Sequence, residues 1–265
     1  MGLSKPPQKI LIATTRRDIS LDYFLDTRVS CVYFDDDFAG FEATLSENQF
    51  DVVYIRDPFN NPDDSYADLK ERLDLIVSSQ PKAYYVDQAN DIDKIYLEDK
   101  WNQYLVMKQF MPKTVIAQPD YFIEGKHIAK KRISSRSRDI IFLATDVPIQ
   151  ENWIIQEMVP LEEELRVYAV NGTILREASI KMSKTAEKKT KVIGTRQLSE
   201  AEYNFVETIL KGLPELDLVG LDIAVSKDQL SLIEVNRAPQ FKRYNKIIGK
   251  NIVADFFNQL VMRQA

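Results

Sequence analysis

The chain is poor in glycine, cysteine and histidine, and each shortage excludes a class of site. Its eight glycines amount to about 3% of the residues, against roughly 7% in an average protein. Neither GxGxxG nor GxxxxGK[ST] occurs, so two common phosphate-binding motifs are excluded. With Cys31 and His127 alone, the chain offers no Cys/His zinc set and no Ser-His-Asp triad with a choice of partners. Any chemistry must therefore use carboxylates, lysines and arginines.

Long apolar runs and an excess of basic residues are also missing. The stretch from Ile140 to Ala144 is typical of the longest apolar runs, which are far too short to span a membrane. Forty acidic residues against thirty-five basic ones leave a net charge of -5, so we expect no nucleic-acid partner. A single cysteine and the lack of a signal-like apolar run near the start predict a cytoplasmic protein.

The first third of the sequence alternates strand and helix patterns. Short apolar runs predict buried parallel strands, and amphipathic segments between them predict helices over residues 40–49 and 64–79. The predicted strands cover residues 9–14, 30–34, 51–56 and 82–86. Arg56 closes the third of them, and functional groups gather at the carboxyl ends of such strands. We therefore expect a small α/β domain over residues 1–95.

The alternation of strands and helices ends there. The following sequence predicts a helix over residues 98–110 and then several consecutive strands. Asn171-Gly172 lies between two apolar-alternating segments, which is a strong hairpin signal. Ser199 and Glu202 predict a capping box at the start of a helix over 199–211. A closing helix is expected over 249–262. The pattern predicts an α+β body after the smaller α/β domain.

The most informative segment is a predicted hairpin over residues 218–236. If Ser226 pairs with Leu230, one side of the hairpin is almost continuously apolar, which selects this register. Asp222 then lies directly across from Glu234. Asn236 shares the face of Glu234, because side chains alternate along a strand. The register gathers two carboxylates and an amide oxygen on one side.

Two neighbouring carboxylates repel each other unless a cation lies between them. A donor set made only of oxygen atoms suits Mg²⁺, which keeps water and phosphate oxygens as its other ligands. The alternative interpretation is an exposed hairpin with unrelated acidic residues, since acidic side chains are common on the outer face of a strand. From these residues alone, both interpretations stay open.

The hairpin also resembles the metal-binding end of the ATP-grasp superfamily, through Gly220-Leu-Asp-Ile and Ile233-Glu-Val-Asn236 followed by Pro239. Four further elements of that family's pattern precede the hairpin in the sequence, in the order that the family shows. They are the Asp99-Lys-Trp101 entry, the hairpin over 128–140, the hinge Ile155-Gln-Glu-Met-Val-Pro160 and Glu164-Leu-Arg166. The RimK-like carboxylate-amine ligases are the most similar type. The resemblance implies an ATP-grasp body of two subdomains, 96–158 and 159–265, that clamp the nucleotide.

The resemblance implies a role for individual residues in binding ATP. Lys100 and Lys130 would contact phosphate oxygens, and backbone groups of the hinge would read the adenine. The implied nucleotide-binding residues are Lys100, Lys130, Gln156, Glu157, Met158, Val159, Glu164 and Lys181. Among them Glu164 would accept hydrogen bonds from the ribose. Lys131 follows Lys130 directly, and strand alternation favours Lys130 as the phosphate ligand.

The same resemblance implies a metal set and three arginines that act on the reacting groups. Asp222, Glu234 and Asn236 would hold Mg²⁺, with Mn²⁺ as the alternative metal. The three implied catalytic residues are Arg166, Arg176 and Arg237. Arg166 and Arg176 would reach a phosphate or acyl-phosphate, whereas Arg237 would bind the acceptor carboxylate with two parallel hydrogen bonds.

The implied reaction joins a small-molecule or peptide carboxylate to an amine at the expense of ATP, through an acyl-phosphate. Two departures from the family keep alternatives open. Residues 134–137 carry serines and an arginine where the family has a glycine-rich phosphate loop, and residues 181–197 are rich in lysine where the family has a substrate segment. An ATP-binding regulatory module without ligase activity is the second hypothesis, and transfer to a hydroxyl is a third. The sequence leaves the substrates and the oligomeric state open, a homo-oligomer included.

Overall fold

A computed structural model of the chain describes most of its residues, with gaps at several connections. The described residues are 9–14, 29–33, 38–56, 66–118, 126–133, 140–143, 152–159, 161–182, 191–227 and 229–263. Contacts divide the chain into two compact units, one of residues 1–95 with 240–265 and the other of residues 96–239. In the described part, no helix has the length and apolar character needed to cross a membrane.

The first unit is built on a parallel four-stranded sheet in the order β2-β1-β3-β4. Its elements are β1 (Ile10–Thr14), β2 (Val29–Tyr33), α1 (Phe38–Glu47), β3 (Val52–Ile55), α2 (Tyr66–Ser79) and β4 (Tyr84–Tyr85). Every residue of β1 and of β3 is buried, which explains why these strands read as unbroken apolar runs. The predicted parallel sheet is thereby confirmed. Two 3-10 helices follow β4, at Val86–Gln88 and Ile92–Glu98.

The second unit begins with a helix and a small antiparallel sheet in the order β5-β8-β6-β7. Its elements are α3 (Lys100–Met107), β5 (Thr114–Ile116), β6 (His127–Lys131), β7 (Ile140–Leu143) and β8 (Trp153–Glu157). Asp99 caps α3 by accepting a hydrogen bond from the backbone N–H of Trp101 at 2.8 Å. We call this four-stranded sheet the small sheet.

The rest of the second unit is a larger antiparallel sheet, the large sheet, in the order β12-β11-β9-β13-β14 with β10 on β9. Its strands are β9 (Glu163–Val170), β10 (Thr173–Ile174), β11 (Glu177–Met182), β12 (Lys191–Gln197), β13 (Leu218–Val225) and β14 (Leu230–Asn236). Helix α4 (Glu200–Gly212) lies between β12 and β13 in the chain. The predicted capping box of Ser199 and Glu202 is confirmed. The predicted turn is also confirmed, with positive φ of 50° at Asn171 and 74° at Gly172.

The chain ends in two helices, α5 (Lys242–Ile248) and α6 (Ile252–Arg263). Gly249 has a φ of 68° and ends α5, so the closing helix begins later than the sequence analysis predicted. Phe257 of α6 packs edge-on against Tyr54 of β3, with ring centroids 6.1 Å apart. This packing explains why residues 240–265 group with the first unit.

Strand alternation sorts the two faces of the large sheet. On one face, apolar side chains such as Leu165 and Val167 pack with residues of α3 and α4 in a continuous core. On the other face lie the side chains at the alternate positions of β9, Glu164 and Arg166. The polar face of the large sheet is therefore the one opposite its helices, and it carries most of the candidate site.

Candidate active site

The hairpin of β13 and β14 brings the predicted metal residues together. Asp222 pairs with Glu234 across the strands, and Gly220 pairs with Asn236. The predicted register is therefore confirmed at this end of the hairpin. At the turn it is wrong, because Leu230 pairs with Val225 rather than with the residue after it.

A β-bulge reconciles the two ends of the hairpin. Ile223 pairs with Leu232, so Ile233 is the extra residue between this pair and the next. Leu232 is fully buried in the core, whereas Ile233 is only half-buried. The bulge reverses the alternation of β14, so Glu234 and Asn236 lie on the polar face.

Asp222 lies at the centre of a cluster of buried charges. The Arg166 guanidinium donates to both of its carboxylate oxygens, at 2.6 Å and 2.7 Å. The Lys181 ammonium donates to Asp222 Oδ2 at 2.7 Å and also to Glu164. Burial alone would raise the pKa of Asp222, but Arg166 and Lys181 outweigh that effect and hold the pKa well below its usual range. Asp222 is therefore ionised and already has two basic partners.

Glu234 faces a lysine of α3. The Lys100 Nζ lies 3.5 Å from Glu234 Oε1. The position of α3 relative to β14 is fixed by Gln103, whose side-chain amide bonds both backbone groups of Val235 at 2.9 Å. Sequence reasoning missed Gln103, because it pairs with a strand 132 residues further along the chain.

Lys130 is buried on the small sheet and has a different kind of partner. Its ammonium donates to Gln156 Oε1 at 2.7 Å, and Gln156 Nε2 donates to Thr114 Oγ1 at 3.1 Å. Burial lowers the pKa of Lys130 to about 8, and the charge of Glu234 acts against that shift. An electrostatic effect of Glu234 requires the two side chains to be near each other. Lys131 is only half-buried, so the structure favours Lys130 over Lys131.

The hinge follows β8 at the edge of the small sheet. The backbone N–H of Glu157 donates to the Lys113 carbonyl, and that of Met158 donates to the Lys126 carbonyl, each at 2.9 Å. Met158 was expected to offer backbone groups to adenine, but its N–H is used within the protein. The carbonyl of Met158 and the backbone of Val159 stay candidates for that role.

Arg176 lies apart from the other predicted catalytic residues. Its guanidinium donates to Glu200 Oε1 at 2.7 Å and stacks over the ring of Tyr203, 4.2 Å from the centroid. The hairpin is interrupted after β10, and Ser179 of β11 takes the place opposite Arg166. The prediction that Arg176 shares the site with Arg166 is therefore wrong, because the strand register turns Arg176 toward α4.

Arg237 follows Asn236 at the end of β14. Its side chain is buried, and Nη1 lies 3.1 Å from Glu98 Oε1. A carboxylate contact of this kind is the interaction that the sequence analysis expected Arg237 to make with an acceptor. Its role toward a substrate stays a prediction.

Residues 125–260, which are more than half of the chain, match the RimK-like ATP-grasp domain. The chain belongs to this family. The predicted fold class and resemblance are thereby confirmed. No match was found among curated proteins.

Solved structures of ATP-grasp ligases share the fold of this RimK-like protein. The ligase PsnB, complexed with a minimal precursor, aligns with a TM-score of 0.67 at 13% identity over 98% of this chain and 100% of its own. A Chryseobacterium gregarium RiPP-associated ligase, bound to ADP and to leader and core peptides, gives 0.63 at 15% over 98% of each chain. D-alanine–D-alanine ligase from Bacillus anthracis gives 0.58 at 10% over 88% of each. At these identities the likeness concerns the fold.

Some predicted features fall outside the described residues. The serine-containing segment over 134–137, expected to act as the phosphate loop, is one of them. Residues 183–190, within the lysine-rich stretch that stands at the place of the family's substrate segment, are others.

The donor set of this RimK-like protein can be tested for its fit to a divalent cation. Among the described residues, no three His, Cys, Asp or Glu side chains are grouped as metal ligands. The candidates are instead two carboxylates and an amide. The buried Asn236 Nδ2 has no hydrogen-bond partner in the described part of the chain, so no bond through that atom holds the amide in place. Two paired carboxylates beside such an amide fit an oxygen-liganded Mg²⁺.

Proposed function

We propose that this protein is an ATP-dependent ligase that joins a carboxylate to an amine through an acyl-phosphate. The observation that carries the proposal is the cross-strand pair of Asp222 and Glu234, with Asn236 on the same face and lysines close by. Membership of the RimK-like ATP-grasp family supports the use of ATP.

The lysines nearest the carboxylate pair are the proposed phosphate ligands. Lys130 has no carboxylate contact among the described residues. A phosphate oxygen of the nucleotide would therefore be the anionic partner of its buried ammonium. Lys100 lies beside Glu234 and contributes a second ammonium. Lys181 is proposed to turn from Asp222 toward phosphate when nucleotide binds. Glu164, released by that movement, would then accept hydrogen bonds from the ribose.

Asp222, Glu234 and Asn236 would hold the divalent cation. Mg²⁺, or Mn²⁺ in its place, supplies positive charge to the β- and γ-phosphates when bound. The protein's part is to keep the three side chains on one strand face, which the bulge at Ile233 achieves. Arg166 holds Asp222 in place through two parallel hydrogen bonds.

In the proposed reaction, a substrate carboxylate oxygen attacks the γ-phosphorus and the bond to the β–γ bridging oxygen breaks, releasing ADP. The amine then attacks the acyl carbon, phosphate leaves and the amine loses a proton. No protein nucleophile is required. Lys100 and Lys130 stabilise the charge that develops on the phosphoryl oxygens, an effect of roughly 10³-fold or more for a well-placed cation. Arg237 is the proposed ligand of the acceptor carboxylate.

Peptides are proposed as one class of substrate. PsnB was solved with a precursor peptide and the Chryseobacterium gregarium ligase with a leader and core peptide, and this chain aligns with nearly the whole of each. The alignment therefore includes the ATP-grasp body, which is the part proposed to bind such a substrate. Amino acids form the second class, because D-alanine–D-alanine ligase shares the fold.

The test of the proposed function is ADP release measured against a panel of amino acids and acidic peptides. An acceptor-dependent increase in ADP, together with an amide product seen by mass spectrometry, is expected. Glu234→Gln should abolish the increase, whereas the matched control Glu200→Gln on the exposed surface of α4 should retain it. ADP release that does not depend on any acceptor would contradict ligation.

A second candidate function is an ATP-binding module without ligation. The specific observation in its favour is that Arg166 and Lys181 already occupy the carboxylate of Asp222. Three of its roughly four lone-pair positions are used. Tight ATP binding that Mg²⁺ does not alter, with no product from any acceptor, would favour the module over the ligase.

A further inference from the structure

A chain of hydrogen bonds through two neutral side chains begins at Lys130. It runs from the Lys130 ammonium to Gln156 Oε1 at 2.7 Å, from Gln156 Nε2 to Thr114 Oγ1 at 3.1 Å, and from the Thr114 hydroxyl to the Pro112 carbonyl at 2.9 Å. The three side chains are 5%, 2% and 2% exposed in that order. Buried hydrogen bonds of this kind hold side chains in one arrangement.

The strand order explains how these residues meet. Strand β8 lies between β5 and β6, and its Gln156 pairs with Thr114 on one side and with Ile128 on the other. Lys130 is two residues beyond Ile128 and so shares its face. The side chain of Gln156 thus spans from one neighbouring strand to the other.

The direction of the chain is fixed by its two ends. A lysine ammonium only donates hydrogen bonds, and the Pro112 carbonyl only accepts them. The Thr114 hydroxyl therefore donates to Pro112 and accepts from Gln156 Nε2, which leaves Gln156 Oε1 to face Lys130. The opposite orientation of the amide would set its NH₂ group against the ammonium. A glutamine connected to a hydroxyl therefore presents an acceptor to the ammonium.

This chain gives Lys130 no carboxylate in direct contact, and within the described residues only one of its three donors has a partner. Within the described residues, Lys130 contacts no carboxylate, whereas Lys181 contacts both Asp222 and Glu164. A carboxylate in the place of Gln156 would neutralise the ammonium. The neutral amide of Gln156 holds the ammonium in place and leaves its positive charge uncancelled.

We propose that Gln156 and Thr114 are positioning residues, which hold the Lys130 ammonium through hydrogen bonds to neutral side chains so that its remaining donors meet the phosphate oxygens of the nucleotide. The inference rests on the proposed function, because it takes Lys130 to be a phosphate ligand. Gln156 was expected to bind the nucleotide itself. In this proposal it acts through Lys130 and does not contact the nucleotide.

The test compares the binding of ATP, ADP and adenosine to the full chain by calorimetry. Gln156→Met removes both hydrogen bonds of the amide at similar side-chain length, and we expect ATP and ADP affinity to fall about 10- to 100-fold. Adenosine affinity should stay unchanged, because adenosine has no phosphate for Lys130 to contact. Thr114→Val should give a smaller loss in the same pattern, and Thr114→Ser should restore the wild-type affinities.

The controls separate this inference from the proposed function. If Lys130→Met loses ATP affinity but neither Gln156→Met nor Thr114→Val does, the positioning role is overturned and the phosphate role of Lys130 stands. Equal losses for adenosine and ATP in Gln156→Met would mean direct contact with the nucleoside, which also overturns it. A wild-type protein that does not bind ATP overturns both. Thr114→Val supplies the test if Gln156→Met fails to fold.

Discussion

The small and large sheets each hold a buried lysine, in opposite ways. On the small sheet, Lys130 donates to the neutral amide of Gln156. On the large sheet, Lys181 donates to two carboxylates, those of Glu164 and Asp222. The Lys130 ammonium has a neutral partner, so its positive charge can still pair with an anion from outside the protein. The Lys181 ammonium is a counter-ion, since it balances charge that the protein itself buries.

This difference teaches how the two regions prepare for a nucleotide. A buried charge without an ionic partner is costly, and a phosphate oxygen removes that cost when it binds. A buried ion pair is stable as it stands, and one partner must move before either can bind something else. We infer that the small sheet is ready for phosphate, while the large sheet must first exchange Lys181 at Asp222.

The largest expected effect comes from removing the anion at the centre of the large-sheet cluster. Asp222→Asn leaves Arg166 and Lys181 buried without their shared partner, so we expect the free energy of unfolding to fall by about 3–5 kcal/mol. ADP release should be lost as well. Urea unfolding followed by circular dichroism measures the first effect. A loss below about 1 kcal/mol, which is typical of exposed pairs, would contradict the buried cluster.

Replacing each lysine by methionine should affect the free energy of unfolding differently in the two sheets. Lys181→Met leaves Asp222 and Glu164 with fewer hydrogen bonds, so we expect a loss of about 1–3 kcal/mol. Lys130→Met removes a buried charge that has no carboxylate contact in the described part of the chain. This gain offsets the lost hydrogen bond to Gln156, so the free energy of unfolding should not fall. ATP affinity should nevertheless drop in Lys130→Met. Equal destabilisation in the two variants would remove the distinction between the sheets.

The pH dependence should sharpen the same distinction. Burial lowers the pKa of Lys130 to about 8, so the unfolded chain binds more protons than the folded one from about pH 8 up to the ordinary lysine pKa of about 10.4. The free energy of unfolding should therefore gain a stabilising contribution as pH rises through this window. ATP affinity should decline over the same range, because the ammonium is lost.

Lys130→Met should abolish both pH effects, and Lys131→Met is the matched control that should retain them. The measurements are urea unfolding and calorimetric ATP binding at several pH values on either side of pH 8. Wild-type ATP affinity that does not change across that range would argue against a phosphate contact by Lys130.

The smallest expected effect is at Arg176. Its pairing with Glu200 is exposed on the surface of α4, and Ser179 rather than Arg176 lies opposite Arg166 in the strand register. Arg176→Gln should leave both stability and ADP release at their wild-type values. Arg166→Gln, its counterpart in the buried cluster, should lower both. A catalytic defect in Arg176→Gln would restore the role that the sequence analysis assigned to it.

Alternation along strands made part of the site predictable. It places Asp222 opposite Glu234, and it separates Lys130 from Lys131. The bulge at Ile233 was not predictable, because a single extra residue leaves no mark in a segment where apolar side chains stand on both sides of it. The misplacement of Arg176 has a different cause. The Asn171-Gly172 turn pairs Val170 with Thr173 and Ala169 with Ile174, and continuing that register puts Glu177, not Arg176, opposite Arg166.

Contacts between distant segments lay outside what the sequence patterns could predict. Gln103 bonds the backbone of Val235, and Gln156 bonds Thr114 across 42 residues. Glutamines in a helix and in a strand carry no local signal for such partners. The prediction that Gln156 belongs to the nucleotide site followed from the resemblance, whereas its hydrogen bonds required the structure.

The central claim is that a carboxylate is phosphorylated before an amide forms. It is tested most directly with a carboxylate substrate that gives acceptor-dependent ADP release in the panel of amino acids and acidic peptides. This substrate is labelled with oxygen-18 in its carboxyl group. Our account predicts that the phosphate released with ADP carries one labelled oxygen, taken from the carboxylate, in the presence of the amine. Phosphate without label alongside ADP would mean hydrolysis by water and would contradict the account.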